Sequence, residues 1–141
     1  MPPPITKYIS AYSILDLPQV IAPLVTDDPP LIANGDISGH RVVAGLSDTQ
    51  ITYADKDTPT HKSLVLGITR NAARTGDSVM VQSRRVMTEP SWNWTQGMPL
   101  FLANNGMMTQ NVPQTGFVME LGVALTPQTM WINIGPAIEL A

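Results

Sequence analysis

The chain has 141 residues, 43% of them hydrophobic and 13% charged, with 13 Pro, 10 Gly and no Cys; that length suits one domain and excludes most multi-domain enzymes. The charged share is about half of the ~25% found in an ordinary soluble chain, so neutral polar residues must cover much of the outside and some surface is expected to be shared with a neighbour. Without cysteine there are no disulfides, no thiolate catalysis and no Cys-ligated zinc. No apolar run approaches the ~18 residues of a membrane span, and the start Met1-Pro2-Pro3-Pro4 lacks the basic and apolar parts of a signal peptide, so the expectation is a soluble, non-exported protein with no membrane partner.

In chain order, residues 1–37 read as a proline-rich N-terminal arm and 38–141 as a β-domain. Pro2, Pro3, Pro4, Pro18, Pro23, Pro29 and Pro30 remove backbone donors and keep regular structure short. Ile5, Tyr8, Ile9, Tyr12 and Leu15 fall at spacings of three and four, the pattern of one apolar stripe on a short helix. The competing reading is an extended arm whose aromatics dock on another chain, and the three successive prolines favour it. From residue 38 onward, candidate strands run over 40–44, 50–54, 64–68, 78–82, 100–103, 117–123 and 130–134, bounded by Gly, Pro, Asn or Asp, with no helical periodicity. Asn104-Asn105-Gly106 predicts a tight hairpin turn, because Asn and Gly tolerate positive φ.

A weak internal repeat runs through the β-domain. Gly39 opens one strand and Gly97 another; Leu66-Gly67-Ile68 is echoed by Leu121-Gly122-Val123, and each copy is followed by a further apolar strand. Two such units, neither with enough apolar surface alone, would share one core. The predicted fold is therefore all-β, a small β-sandwich or β-barrel of two similar halves with an extended proline-rich N-terminal arm.

Charge is uneven: residues 1–60 carry −4, residues 61–85 carry +4, and 86–141 carry three Glu and no Lys or Arg. The basic segment, Lys62, Arg70, Arg74, Arg84 and Arg85, has no aromatic among its cations and reads as a solvated or intersubunit face, with no nucleic-acid partner expected. The C-terminal stretch has little charge with which to repel a neighbour.

Reactive groups are few. His40, in a strand pattern, reads as packed or hydrogen-bonded at the surface; His61 reads as a loop residue. Asp55 with Asp57, and Asp27-Asp28, lack the glycine turn and bidentate acid of a calcium loop and read as strand ends and loops. No nucleophile elbow, zinc-protease, dinucleotide or phosphate-loop motif is present. No catalytic residue, metal or cofactor is expected, and the chain is not expected to be an enzyme. Asn93-Trp94-Thr95 matches a glycosylation sequon, read as coincidence in a non-exported chain. Trp92 and Trp94 would share one side of an extended segment, and two indoles cannot both stay in water cheaply. They either cap the core between the halves or serve as an intersubunit anchor or sugar platform; with Pro2, Pro3, Pro4, Ile5, Tyr8 and Tyr12 they are the candidate interface residues.

The order Gly97-Met-Pro-Leu-Phe-Leu102, Asn105-Gly106-Met-Met-Thr109, Pro113, Leu121-Gly-Val-Ala-Leu125 and Met130-Trp-Ile-Asn-Ile134 resembles β-rich modules of tailed-bacteriophage particles, in capsid decoration (cement) proteins and in fibre or baseplate components. The resemblance covers about 97–136, with a fainter version in 39–82. It implies a virion structural protein on the outer surface of the capsid, a homotrimer that binds the major capsid protein where its subunits meet and stabilises the head. The alternative it leaves is a tail fibre or baseplate component contributing to host glycan attachment.

Overall fold

Turn residues cut the chain into short extended pieces. The computed structural model describes residues 30–140. Among these the strands are β1 (Leu31–Ala33), β2 (Val42–Gly45), β3 (Gln50–Tyr53), β4 (Val65–Thr69), β5 (Ser78–Val79), β6 (Val81–Gln82), β7 (Arg84–Thr88), β8 (Pro99–Leu102), β9 (Met108–Thr109), β10 (Phe117–Val118), β11 (Glu120–Thr126), β12 (Thr129–Asn133) and β13 (Ile138–Glu139). The one helical piece among the described residues is a 3₁₀ turn over Pro59–Ser63. The chain is all-β, and no helix of the described residues is long and apolar enough to cross a membrane. The predicted arm, with Pro2, Pro3, Pro4, Ile5, Tyr8 and Tyr12, lies outside the described residues. Residues 31–37, read from the sequence as the arm's end, are built into the domain: β1 pairs with β3 and β5, and Ile37 bridges Ala73.

Six strands form a sheet in the order β5-β1-β3-β2-β4-β6, antiparallel except for β1 with β3. Its two edge strands, β5 and β6, are separated in the chain only by Met80, so the sheet must curl until its edges nearly meet. Ala33, Ile37, Val43, Ile51, Ala73 and Val79 form a cluster inside this near-closed barrel. Five strands form a second, antiparallel sheet, β9-β8-β11-β12-β7, and β10 pairs with β13. The inner face of the second sheet, with Leu100, Leu102, Leu121, Met130 and Ile132, packs on Val42, Ala44 and Ile68 from the outside of the barrel. β2 is thus buried on both faces, which is why it reads as an unbroken Val-Val-Ala run.

The two halves share a strand order. β3-β2-β4-β6 in the first corresponds to β9-β8-β11-β12 in the second, with the Leu-Gly-aliphatic strand third in each. Gly67 and Gly122 both have φ +154, and a Cβ on either would fall on the carbonyl oxygen of the next strand, Gln82 or Trp131. Only glycine allows that approach.

Element boundaries moved by up to three residues, and two predicted strands are broken. The stretch 78–82 divides at Met80 as the barrel closes; 117–123 divides at Met119 because β10 leaves to pair with β13. The predicted turn is observed: Asn105 (φ 54) and Gly106 (φ 73) link β8 to β9, with Met108 opposite Leu102.

Candidate functional site

Thr69 is the one buried polar side chain among the described residues, and it is fully satisfied. Its hydroxyl donates to the Ser38 carbonyl (2.8 Å) and accepts from the Arg41 backbone N–H (3.0 Å), while the His40 N–H donates to the Thr69 carbonyl (2.8 Å). These three bonds hold His40 at φ +59, a conformation a non-glycine residue keeps only when its surroundings impose it. His40 therefore lies just before β2, in a turn and not within a strand.

Held there, the His40 ring stands edge-on to Trp92 (centroids 5.7 Å, 77° between planes), and Trp92 lies 5.8 Å from Trp94. Both indoles are half-buried against the shared core. Backbone bonds fix the segment that carries them: the Trp92 N–H donates to the Glu89 carbonyl (3.0 Å) and the Trp94 N–H to the Pro127 carbonyl (2.9 Å). The Trp94 indole N–H is buried and has no partner among the described residues. With Arg70, Glu89, Met107 and Met108, the two indoles and His40 border an open groove of about 500 Å³.

The acid in this groove is Glu89. One oxygen lies 3.5 Å from His40 Nδ1; the other accepts from the Ser91 hydroxyl and the Ser91 N–H (2.9 Å). The Ser91 hydroxyl, then its N–H, and to a smaller extent His40, hold the Glu89 carboxyl below its ordinary range. The order is Ser–Glu–His. In a Ser–His–acid triad the imidazole stands between hydroxyl and acid to take the proton; here the Ser91 hydroxyl bonds the carboxylate directly, and His40 meets the other oxygen.

Asp55 and Asp57 form a second cluster, where the halves meet. The Asn104 amide donates to both carboxylates (2.8 Å each), and Asp55 also accepts from the backbone N–H groups of Asp57 (2.9 Å) and Asn105 (3.2 Å). Lys56 reaches Asp57 (3.1 Å) and the Thr115 hydroxyl (2.7 Å). Partial burial pushes the Asp55 carboxyl up, but the hydrogen bonds from Asp57, Asn104 and Asn105 outweigh it, and the net direction is down. Asp57 is lowered by Asn104 and Lys56. His61 Nδ1 accepts from the Asp55 N–H (3.0 Å), a loop-fixing contact. No three metal-ligating side chains converge among the described residues. The cluster ties the Asn104-Asn105-Gly106 turn of one half to the β3 exit of the other.

A third feature lies on the outer face of the five-stranded sheet. Val86, Trp131, Val123 and Pro99 stand opposite one another in register across β7, β12, β11 and β8. Trp131 is 44% and Val86 47% exposed, and Arg84 and Arg85 flank them without an ion pair among the described residues. The free edge of β7 is partly closed, since the Gln82 amide donates to the carbonyls of Arg84 and Val86 (2.9 Å each).

The structure thus brings Trp92 and Trp94 together, half-buried at a groove. Sequence reasoning missed Thr69, Glu89 and Trp131. Thr69 carried no local signal, because its partners Ser38 and Arg41 lie 31 and 28 residues away; Glu89 bonds Ser91 two residues on, but the His40 it also meets is 49 residues away in the chain. Trp131 did carry one, an indole in an alternating strand, with Met130 and Ile132 on the opposite, buried side. In comparison with known proteins, no family model matches the chain and no curated protein is significantly similar to it.

Proposed function

We propose that this chain is a structural component of a virus particle, a capsid decoration protein that acts by covering and bracing other subunits. The observation that carries the reading is the outer sheet face, where Trp131 and Val86 stand exposed side by side, in register with the half-buried Val123 and Pro99. A row of this kind flanked by Arg has the composition of a protein contact surface. In this reading the partners are the major capsid protein and further copies of the chain, arranged as a trimer at capsid junctions on the outside of the head. The arm residues Pro2, Pro3, Pro4, Ile5, Tyr8 and Tyr12 supply attachment. No catalytic step is required, in keeping with a Ser91 hydroxyl bound to a carboxylate and not to an imidazole.

The test adds the purified full chain to undecorated particles and measures copies bound and particle lifetime under heat, beside a variant lacking residues 1–15. Saturable binding in hundreds of copies, lost on truncation, is the expected result; no binding, or turnover of a small molecule by a stable monomer, refutes it. The groove beside Trp92 and Trp94 favours a second reading, a tail fibre or baseplate component that stacks a sugar ring on an indole. A glycan array separates the two: hits lost with Trp92→Ala favour the tail role.

A further inference from the structure

We propose that Asn34 is a site of spontaneous covalent modification, converting to aspartate and isoaspartate in the folded chain, while Asn105, in the same Asn-Gly dipeptide, is protected. The inference does not depend on whether the protein belongs to a virus particle.

The chemistry is general to Asn followed by Gly. The glycine backbone nitrogen, once hydroxide has taken its proton, attacks the side-chain carbonyl carbon of Asn. The bond from that carbon to the amide nitrogen breaks, ammonia leaves with a proton from water, and a five-membered succinimide remains. Water then opens the ring at either carbonyl, giving aspartate, or isoaspartate with the main chain running through the former side chain. One water is consumed and one ammonia released. Glycine permits the attack because it has no side chain to shield its nitrogen. The chain contains two such pairs, Asn34-Gly35 and Asn105-Gly106.

The fold treats the two nitrogens differently. Gly106 is buried, and its N–H donates to the Ala54 carbonyl (2.7 Å). A Cβ on Gly106 would fall 2.7 Å from Tyr53 Cδ1 and 2.8 Å from the Val42 carbonyl oxygen, so ring closure there has no room. The rest of that turn is held as well: the Asn105 N–H donates to Asp55 (3.2 Å), and the Asn105 carbonyl accepts from the Arg41 guanidinium (3.2 Å). Asn34, by contrast, is exposed and lies just past the end of β1. The Gly35 N–H has no hydrogen-bond partner among the described residues, and nothing stands within 4 Å of a Cβ placed on Gly35.

The site lies where main-chain length matters. Ala33 before it and Ile37 after it are both buried in the barrel cluster. Both are also pinned: the Ala33 N–H donates to the Asp77 carbonyl (2.9 Å), and Ile37 exchanges bonds with Ala73 (2.8 and 2.7 Å). Between them, the Asp36 carboxylate accepts from the Thr75 N–H (3.0 Å). An isoaspartyl linkage inserts one extra main-chain carbon between these anchors, so Ala33 or Ile37 must shift in a close-packed interior. Plain aspartate adds charge near Asp36 but keeps the chain length. Conversion is therefore a one-way loss of barrel order that accumulates with the age of the molecule.

To test this, the purified full chain is aged in mildly alkaline buffer and digested, and the peptides holding Asn34 and Asn105 are followed by mass spectrometry, with isoaspartate read by enzymatic carboxyl methylation. In the folded chain Asn34 should convert at least about tenfold faster than Asn105, the factor that one amide hydrogen bond is worth. In urea the two rates should converge, because the dipeptide is the same. Comparable rates in the folded chain, or an Asn34 that stays intact while the urea-unfolded chain converts, overturn the proposal. The isoaspartyl fraction, separated chromatographically, should melt below both the fresh chain and Asn34→Asp; melting together with Asn34→Asp refutes the effect on the barrel. Asn34→Gln, aged alongside, should keep its initial melting temperature, and a fall equal to that of the unsubstituted chain counts against Asn34 as the site.

Discussion

Substituting alanine at Gly67 and, separately, at Gly122 tests whether the two halves are one design used twice. Each glycine has φ +154, where an L side chain costs about 1–3 kcal/mol in backbone strain alone. The added Cβ also stands 2.9 Å from the carbonyl carbon of Gln82 in one case and of Trp131 in the other. Neither contact is with a flexible side-chain tip, so the next strand must shift, at a further cost of about 1–3 kcal/mol. The combined effect is about 2–6 kcal/mol; at roughly 3–5 °C per kcal/mol for this chain length, thermal unfolding should fall by about 6 °C or more for each variant. Gly97→Ala is the control, because φ is +83 there and nothing lies within 4 Å of the new methyl, leaving only the backbone term. Differential scanning calorimetry on the three variants decides. If Gly67→Ala and Gly122→Ala melt no lower than Gly97→Ala, or if only one of them is affected, the structural equivalence of the halves is refuted.

Thr69→Val keeps shape but strands the Ser38 carbonyl and the Arg41 N–H, so it should cost about 1–3 kcal/mol in denaturant melts, and a loss below about 0.5 kcal/mol would deny Thr69 its role in placing His40. Asp55, Asp57 and Glu89 are all lowered in the folded state, so in acid the unfolded chain binds more protons; their stabilisation is complete above the ordinary carboxylate range and is lost as pH falls below about 4. Asn104→Ala removes a bond to two of these acids and should flatten that acid decline, measured as melting temperature from pH 7 to pH 2.5. Gln82→Ala frees two carbonyls on the β7 edge and should produce concentration-dependent light scattering with little change in melting temperature; an unchanged scattering profile would mean the amide does not guard the edge.

Strand positions and the tight turn were legible because Gly, Asn and Pro set backbone limits that act locally. The repeat was legible for the same reason: Gly67 and Gly122 are backbone requirements, visible wherever they occur. β7 was not, since Arg84-Arg85 reads as a solvated charge run and its place in a sheet is set by pairing with β12, more than forty residues later. The start of the domain was obscured by Pro29 and Pro30, which made 31–37 look like more arm although Ile37 is 4% exposed. Of the groove, the indole pair was evident from its size and spacing. His40 was not, because its conformation is imposed by Thr69, and no short window of sequence holds both.

Because β2 contributes Val43 to the barrel interior and Val42 and Ala44 to the layer between the sheets, it is common property of both hydrophobic clusters. Loosening either cluster withdraws support from the other, so melting should occur as one event, and neither half should survive excision as a foldable fragment. The two similar units are thus a bonded pair, and neither is a spare copy of the other.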